Sequence, residues 1–385
     1  MVHDRNKPLA PPSGENEVDL EDLSSAPIPK GPAVRARDEQ ELDFDLDSVL
    51  QKINAAVPVV VPMVVGTPTA AGAGPAAKME KDPLPPGQGP TVGNYQLAGR
   101  MRSSPAAMVF MAHRVSQFGI RRPVVVKFAP KNNPAYARNR EMLVDEYHAM
   151  ALLDHPNIAA VYEAAEIDLG FYVALEYIDG PDARVFLDHK VKTKQQVPVE
   201  VAAFITIELL RGLEHAHTAR GLDDRPLGIV HRDVNPSNIL LSKAGQVKLT
   251  DFGVVKMRGR TAQETQPGMV KGKPAYLAPE YIRGEHLDHR CDVYSAGIFL
   301  FELVLGQKCF RAEGVDIFRE VLAGVDLSRL AKANVPDKLA VIIARATDKD
   351  PKQRFITASD MGRALETWLQ TNRYYVSATS LAAIL

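Results

Sequence analysis

The stretch Ile229–Leu241, IVHRDVNPSNILL, sets a histidine, an aspartate and two asparagines between apolar residues. The tripeptide Asp251–Gly253, DFG, follows it closely along the chain. Upstream, Lys127 ends the apolar run VVVK, and Glu146 lies in a segment of helical periodicity. Either short motif could occur alone by chance, but the four features in this order are far more informative than any one of them.

The distribution of apolar residues predicts a strand-rich part followed by a helix-rich part. Pro123–Phe128 and Phe171–Tyr177 are β-rich apolar runs, and Glu141–Leu153 between them has helical periodicity. After Gly180 most of the long periodic segments are helical. This order predicts two lobes with a cleft between them.

Together these features resemble the motif set of the protein kinases. The segments PLGIVHRDVNPSN and KGKPAYLAPE are similar to those of bacterial Hanks-type, eukaryotic-like serine/threonine kinases such as the myxobacterial members. The resemblance covers roughly Tyr95 to Leu369. It implies a bilobal α+β fold, with a β-rich N-lobe and a helical C-lobe, that transfers the γ-phosphate of ATP to serine or threonine hydroxyls of proteins.

The resemblance implies a role in phosphoryl transfer for each matched residue. This reaction needs in-line geometry and neutralised phosphate oxygens, with little covalent chemistry. Lys127 would pair with the α- and β-phosphates, and Glu146 would hold that lysine through an ion pair. Asp233 would accept the proton of the attacking hydroxyl. Asn238 and Asp251 would hold two Mg²⁺ ions.

The resemblance also implies an adenine site between the lobes. Glu176, Tyr177 and Ile178 would form the hinge and offer backbone groups to the purine. Three more residues would enclose the ring: Leu175 at the back, and Val109 and Leu240 on its two faces. Val125 stands where the family usually has alanine, so we expect a narrower pocket.

The phosphate-covering loop departs from the family pattern G-x-G-x-x-G-x-V. With Val109 as the last residue of that pattern, the three glycine positions hold Arg102, Ser104 and Ala107. Glycine lets backbone N–H groups approach phosphates closely, and Pro105 removes one donor altogether. The loop therefore cannot bind phosphates in the usual way.

Two interpretations of this loop stay open. In the first, Met101, Arg102, Ser103 and Ser104 contact the nucleotide, and the enzyme is active with a high KM for ATP. In the second, the chain is a pseudokinase that binds nucleotide and acts as a scaffold. The intact metal- and hydroxyl-positioning groups favour the first. A small-molecule phosphotransferase is disfavoured, because the APE-type segment suits a protein substrate.

A second departure concerns charge near the catalytic aspartate. Ser/Thr kinases usually have a lysine shortly after that aspartate and a threonine in GTxxYxAPE, whereas this chain has Asn235 and Lys273. One hypothesis is that Lys273 reaches toward Asp233 and supplies the missing positive charge. The alternative is a solvated loop lysine. Asn235–Pro236 resembles the Lys-Pro of Ser/Thr kinases more than the tyrosine-kinase loop, which favours Ser/Thr specificity.

Further matches concern stability and regulation. Glu280, in the APE motif, usually pairs with a late arginine, and Arg354 stands where that partner belongs. Asp292 matches the helix aspartate that braces the catalytic loop.

Arg232 precedes the catalytic aspartate, which in this family often accompanies phosphorylation of the activation loop. A phosphate there would give Arg232 a charge-assisted partner. Thr261 and Thr265 are the candidate autophosphorylation sites.

The composition excludes several other classes of protein. A formal net charge of −1 over 385 residues gives no basic excess for nucleic acid. The two cysteines, Cys291 and Cys309, exclude a secreted disulfide scaffold and favour the cytoplasm. The apolar run Val57–Val65 is far shorter than the roughly 20 residues of a membrane span, so none is expected.

We expect three regions along the chain. Residues 1–92 are rich in proline, alanine, glycine and acids, which predicts a disordered arm. The kinase domain is predicted at 93–372, with an N-lobe at 95–178 and a C-lobe at 179–372, followed by a tail at 373–385.

Within the arm, Glu41–Asn54 alternates acids with apolar residues and then takes helical spacing behind Ser48. It is either a solvated acidic tract or a short helix that docks a regulatory partner or is autoinhibitory.

Overall fold

The computed structural model describes residues 89–103, 107–221, 223–252 and 273–385, with Arg102 and Ser103 by their backbone alone. The predicted arm up to residue 88, Ser104, and the candidate phosphorylation sites Thr261 and Thr265 lie outside the described residues. Strands dominate the first part of the described chain and helices the second. The predicted α+β fold class is therefore confirmed.

Six strands form one antiparallel sheet in the first part, in the spatial order β1-β2-β3-β4-β6-β5. The strands are β1 Thr91–Val92, β2 Tyr95–Ser103, β3 Met108–Val115, β4 Arg121–Pro130, β5 Val161–Ile167 and β6 Gly170–Glu176. Helix α1, Tyr136–Met150, begins five residues before the predicted segment and packs on β4, β5 and β6. Val124, Val126 and Phe128 of β4 are all buried, as β-branched and aromatic residues in a central strand should be.

The second part is helical apart from the hairpin β7 (Ile239–Leu241) and β8 (Val247–Leu249). The helices are α2 Ala183–Thr193, α3 Val199–Thr218, α4 Pro279–Ile282, α5 Arg290–Leu305, α6 Asp316–Ala323, α7 Ser328–Lys332, α8 Asp337–Ala346, α9 Ala358–Thr371 and α10 Ala378–Ala382. Helix α5 is buried on every side from Cys291 to Val304, which is the pattern of a central core helix. Helices α3, α8 and α9 pack around it. No helix among the described residues is long and apolar enough to cross a bilayer.

The chain after α9 folds back onto the helical part. Leu381 of α10 is fully buried, and α10 packs on α3. At the turn of the β7–β8 hairpin, a Cβ on Gly245 would lie 1.8 Å from the carbonyl oxygen of Ala378, so this close approach requires glycine. The apolar tail therefore packs on its own domain. The region boundaries remain predictions.

The predicted pair between Glu280 and Arg354 is present and deeply buried. Two guanidinium nitrogens of Arg354 each donate to one Glu280 oxygen at 2.7 Å, and the side chains are 0% and 3% exposed. Two further N–H groups of Arg354 donate to the backbone oxygens of Asp348 and Arg290. Because the two buried charges are paired with each other, the pair fixes the start of α4 against the loop before α9.

Removing one partner of this pair should be costly. We expect Arg354→Met to lower the free energy of unfolding by about 3–5 kcal/mol, because Glu280 is left charged and buried. Urea denaturation followed by the fluorescence of Trp368, the single tryptophan, measures the change.

The matched control is Arg319→Met. Arg319 pairs with Asp316 on the surface, where the side chains are 83% and 63% exposed. Its loss should cost at most about 1 kcal/mol. Equal losses for the two variants would contradict a stabilising role for the buried pair.

Candidate active site

The register of the sheet brings the predicted cleft residues of the first part onto one face. Lys127 of β4 lies opposite Val109 of β3 and Val173 of β6, and Val125 lies opposite Leu175. Directly opposed residues in an antiparallel pair point to the same side of the sheet. The side chain of Lys127 therefore lies on the same face of the sheet as four apolar side chains that are buried or half-buried: Val109, Val125, Val173 and Leu175.

Three elements meet at the ammonium group of Lys127. It forms an ion pair with Glu146 of α1 and another with Asp251, 2.5 Å away, and its own side chain is 9% exposed. Burial alone would lower the pKa of Lys127, but the carboxylates of Asp251 and Glu146 outweigh it and hold the pKa above its ordinary value. The lysine therefore stays charged, as phosphate binding requires.

The predicted catalytic loop brings Asp233, Asn235 and Asn238 together. The side-chain amide of Asn235 donates to Asp233 Oδ1 at 2.9 Å, and that of Asn238 donates to Asp233 Oδ2 at 3.1 Å. Both amides also bind the Asp233 carbonyl, and the carbonyl of Asn238 accepts from Thr250 N–H. These bonds fix the orientation of the Asp233 carboxylate and tie its loop to the residue before Asp251.

Asp292 braces this loop from behind, as predicted. Its carboxylate accepts the backbone N–H groups of His231 and Arg232 at 2.8 Å and a third hydrogen bond from His217 Nε2. Burial alone would raise the pKa of Asp292, but the bond from His217 and the backbone donors hold the pKa below its usual value. Arg232 has a φ of 63°, a left-handed conformation that costs energy in a non-glycine residue and that these two bonds help to impose.

Lys273 lies at the catalytic loop. Its ammonium group donates to Ser237 Oγ, which follows Asp233 in the same loop. This contact brings a positive charge to the loop from the APE side of the chain. The predicted approach of Lys273 to Asp233 itself stays a prediction.

One backbone group of the predicted hinge is already engaged within the protein. The backbone N–H of Glu176 donates to the carbonyl of Ala160, so only the Glu176 carbonyl and the following residues remain to meet a purine. The Glu176 side chain accepts from Ala160 N–H and from Lys248 Nζ at 2.8 Å. Ile178 is buried, and Leu240 of β7 lies half-buried opposite Lys248.

Lys248 was not among the predicted site residues. The signal available was a lysine inside the apolar strand VKL, three residues before Asp251. A charge inside a buried strand needs a partner. Only the three-dimensional structure identifies that partner as the hinge residue Glu176.

The phosphate-covering loop is described only at its margins. Met101 lies in β2 at a register irregularity between Arg100 and Arg102. The side chains of Arg102 and Ser103, and all of Ser104, lie outside the described residues. Their predicted contacts with ATP stay predictions.

Residues 109–364 match the family model described as the protein kinase domain. The chain therefore belongs to the protein kinase family. The match begins at Val109, after the glycine-free loop.

Curated relatives cover most of this chain. The tyrosine-protein kinase MasK of Myxococcus xanthus is 34% identical over 298 residues, which is 76% of this chain and 46% of MasK. The serine/threonine-protein kinase PksC of Streptomyces coelicolor is 33% identical, covering 70% of this chain and 48% of PksC. PrkC of Bacillus subtilis, also named a serine/threonine-protein kinase, is 30% identical, with 73% and 41% covered. The chain thus spans less than half the length of each of these relatives.

The hydrogen bonds that Asp292 accepts from the loop lead to a kinetic prediction. Asp292→Asn should lower kcat for phosphate transfer by about 10- to 100-fold, because charged hydrogen bonds of this kind are worth about 1.5–3 kcal/mol. The KM for ATP should change much less, because Asp292 touches neither the hinge nor Lys127. Steady-state kinetics on the purified variant measures both parameters.

The control for this variant is Asp316→Asn, the same change at an exposed position of α6. It should leave kcat at the wild-type value. A kcat for Asp292→Asn that also matches wild type, in protein that remains folded, would show that the loop does not depend on the brace.

Proposed function

We propose that the chain is an ATP-dependent serine/threonine protein kinase that acts on hydroxyls of protein substrates. The observation that carries the proposal is the contact of Lys127 with both Glu146 and Asp251. In that arrangement one cation faces the phosphates while its two carboxylate partners fix its position. Family membership supports this activity, and the names of PksC and PrkC support the serine/threonine assignment.

Asp233 would orient the attacking hydroxyl and accept its proton. Its two carboxylate oxygens each receive one amide hydrogen bond, from Asn235 and Asn238, which leaves lone pairs on both oxygens for a substrate. The neutral amide of Asn235 takes the place of the family's lysine. The carboxylate is thereby oriented without being neutralised.

Asn238 and Asp251 are the residues that would hold Mg²⁺. An amide oxygen and a carboxylate are hard oxygen donors, which suit this ion. No cluster of three or more histidine, cysteine or acidic side chains able to hold a metal occurs in the described ranges. A site with two protein ligands fits Mg²⁺, which keeps several waters and binds nucleotide phosphates. The ion would neutralise charge on the phosphate oxygens.

We further propose that Lys273 supplies the positive charge that Asn235 lacks. Its bond to Ser237 Oγ holds the ammonium group at the loop that carries Asp233. A cation there would stabilise charge that develops on the transferred phosphate.

Regulation would act through Arg232 and the arm. Among the described residues, Arg232 Nε is buried and has no hydrogen-bond partner. A phosphate on Thr261 or Thr265 would offer that guanidinium group strong acceptors. A regulatory partner at the arm and a cytoplasmic location remain predictions. The cytoplasmic location is expected because both cysteines are free and buried.

The direct test is incubation of the purified chain with Mg²⁺-ATP and a generic protein substrate. We expect incorporation of phosphate into serine or threonine, with Asp233→Asn reducing it at least about 10³-fold. Mass mapping should find Thr261 or Thr265 modified in the wild-type chain and not in Asp233→Asn.

Phosphoamino-acid analysis separates the hydroxyl classes. Phosphotyrosine alone would align the chain with the activity in the name of MasK and overturn the serine/threonine assignment. Nucleotide binding without any phosphate transfer would identify a pseudokinase.

Lys273→Ala tests the charge proposal separately. We expect kcat to fall at least about fivefold, which corresponds to about 1 kcal/mol of lost transition-state stabilisation, and Lys273→Arg to retain most activity. The control Lys338→Ala removes an exposed lysine from α8 and should leave kcat unchanged. Near wild-type kcat for Lys273→Ala would identify a solvated loop lysine.

A further inference from the structure

We propose that Lys248 is a positioning residue for ATP, acting through its ion pair with Glu176 of the hinge. This inference rests on the proposed binding of ATP at the hinge. Lys248 Nζ lies 2.8 Å from Glu176 Oε2, and the side chains are only 11% and 24% exposed. The pair connects the last residue of β6 to the middle of β8, which belong to different lobes.

The Glu176 carboxylate connects three parts of the structure. The same Oε2 atom that binds Lys248 also accepts the backbone N–H of Ala160 at 3.0 Å. Ala160 in turn accepts the backbone N–H of Glu176. Its neighbour Ala159 donates to the carbonyl of Leu249. One carboxylate therefore links β6, the loop after α1 and β8.

The pair lies where hinge geometry matters for a nucleotide. Lys248 and Leu240 are opposed in the β7–β8 hairpin and so share one face of it. Leu240 is the proposed floor of the adenine pocket, and the Glu176 carbonyl is one of the hinge groups that remain to meet the purine. By fixing the Glu176 side chain, Lys248 fixes the distance between that carbonyl and that floor.

Lys248 also acts on the strand that leads to the phosphates. It precedes Asp251, whose carboxylate contacts Lys127. A displaced β8 would move the adenine floor and the metal-binding aspartate together. Small displacements of this kind are costly, since binding groups must be held within fractions of an ångström.

A nearby exposed ion pair provides a matched control. Lys243, in the turn between β7 and β8, binds Asp179, which directly follows the hinge, at 2.8 Å, but the side chains are 35% and 58% exposed. The backbone already joins the segment after the hinge to the hairpin, since Lys243 N–H donates to the Asp179 carbonyl and Leu241 N–H to that of Pro181. An exposed pair with backbone support should contribute little.

The experiment compares Lys248→Met with Lys243→Met in the full chain. For Lys248→Met we expect the KM for ATP, and the Kd for ADP measured without turnover, to rise about five- to twentyfold, with kcat falling by a smaller factor because Asp251 keeps its ion pair with Lys127. For Lys243→Met we expect both to stay within about twofold of wild type. Assays are run well below the melting temperature of each variant.

Glu176→Gln, alone and combined with Lys248→Met, tests whether the lysine acts through the glutamate. Added to Lys248→Met, the Gln change should raise the KM by less than about twofold further, because the link is already broken. If the double variant recovered the wild-type KM, the defect of Lys248→Met would come only from the unpaired charge of Glu176. If the effects of the two changes on the KM were fully additive, the two residues would act independently. Either outcome, or equal effects of Lys248→Met and Lys243→Met, overturns the proposal. Failure of the wild-type chain to transfer phosphate would instead contradict the proposed function, and the ADP measurement still reports on Lys248.

Discussion

The contact of Lys127 with two carboxylates is the interaction on which the site depends. Glu146 belongs to a helix on the sheet, and Asp251 follows the β7–β8 hairpin of the other lobe. A buried ammonium group is stable only if its charge is matched, so both carboxylates must stay close while Lys127 is buried. The cation therefore aligns the helix, the sheet and the proposed metal-binding aspartate with one another.

Buried charged side chains in the helical lobe fix the position of the predicted catalytic loop, as Lys127 fixes the elements around the cleft. Asp292 is fully buried and holds two consecutive backbone N–H groups, which fixes the chain just before Asp233. Arg354 and Glu280 fix the segment that follows the activation loop. Because each of these groups has its partners in place, the loop can hold Arg232 in a strained conformation without help from a substrate.

The sequence predicted the parts of this site that follow from motif order, namely the two-lobed α+β fold, the ion pair of Lys127 with Glu146 and the brace at Asp292. It could not predict which hinge groups are already engaged, because Glu176 N–H binds the carbonyl of Ala160 next to β5, and the register of β5 with β6 determines that bond. It also missed Lys248, since a lysine in a short strand has many conceivable partners until the strand is placed beside the hinge. Local pattern thus predicted the candidate site residues, whereas packing between segments decides how those residues are supported.

Strand β8 is the element that joins these observations. In the ion pair of Lys127 with Asp251, the cation lies on the sheet and the anion follows β8. In the ion pair of Lys248 with Glu176, the positions are exchanged: the cation lies on β8 and the anion at the end of the sheet. These two ion pairs both hold β8 and the residues after it to the sheet, because a shift of β8 would separate charges that burial makes costly to separate. The predicted phosphate-covering loop lacks glycine, so we expect less of the nucleotide binding to come from that loop and more of it to depend on a rigid cleft.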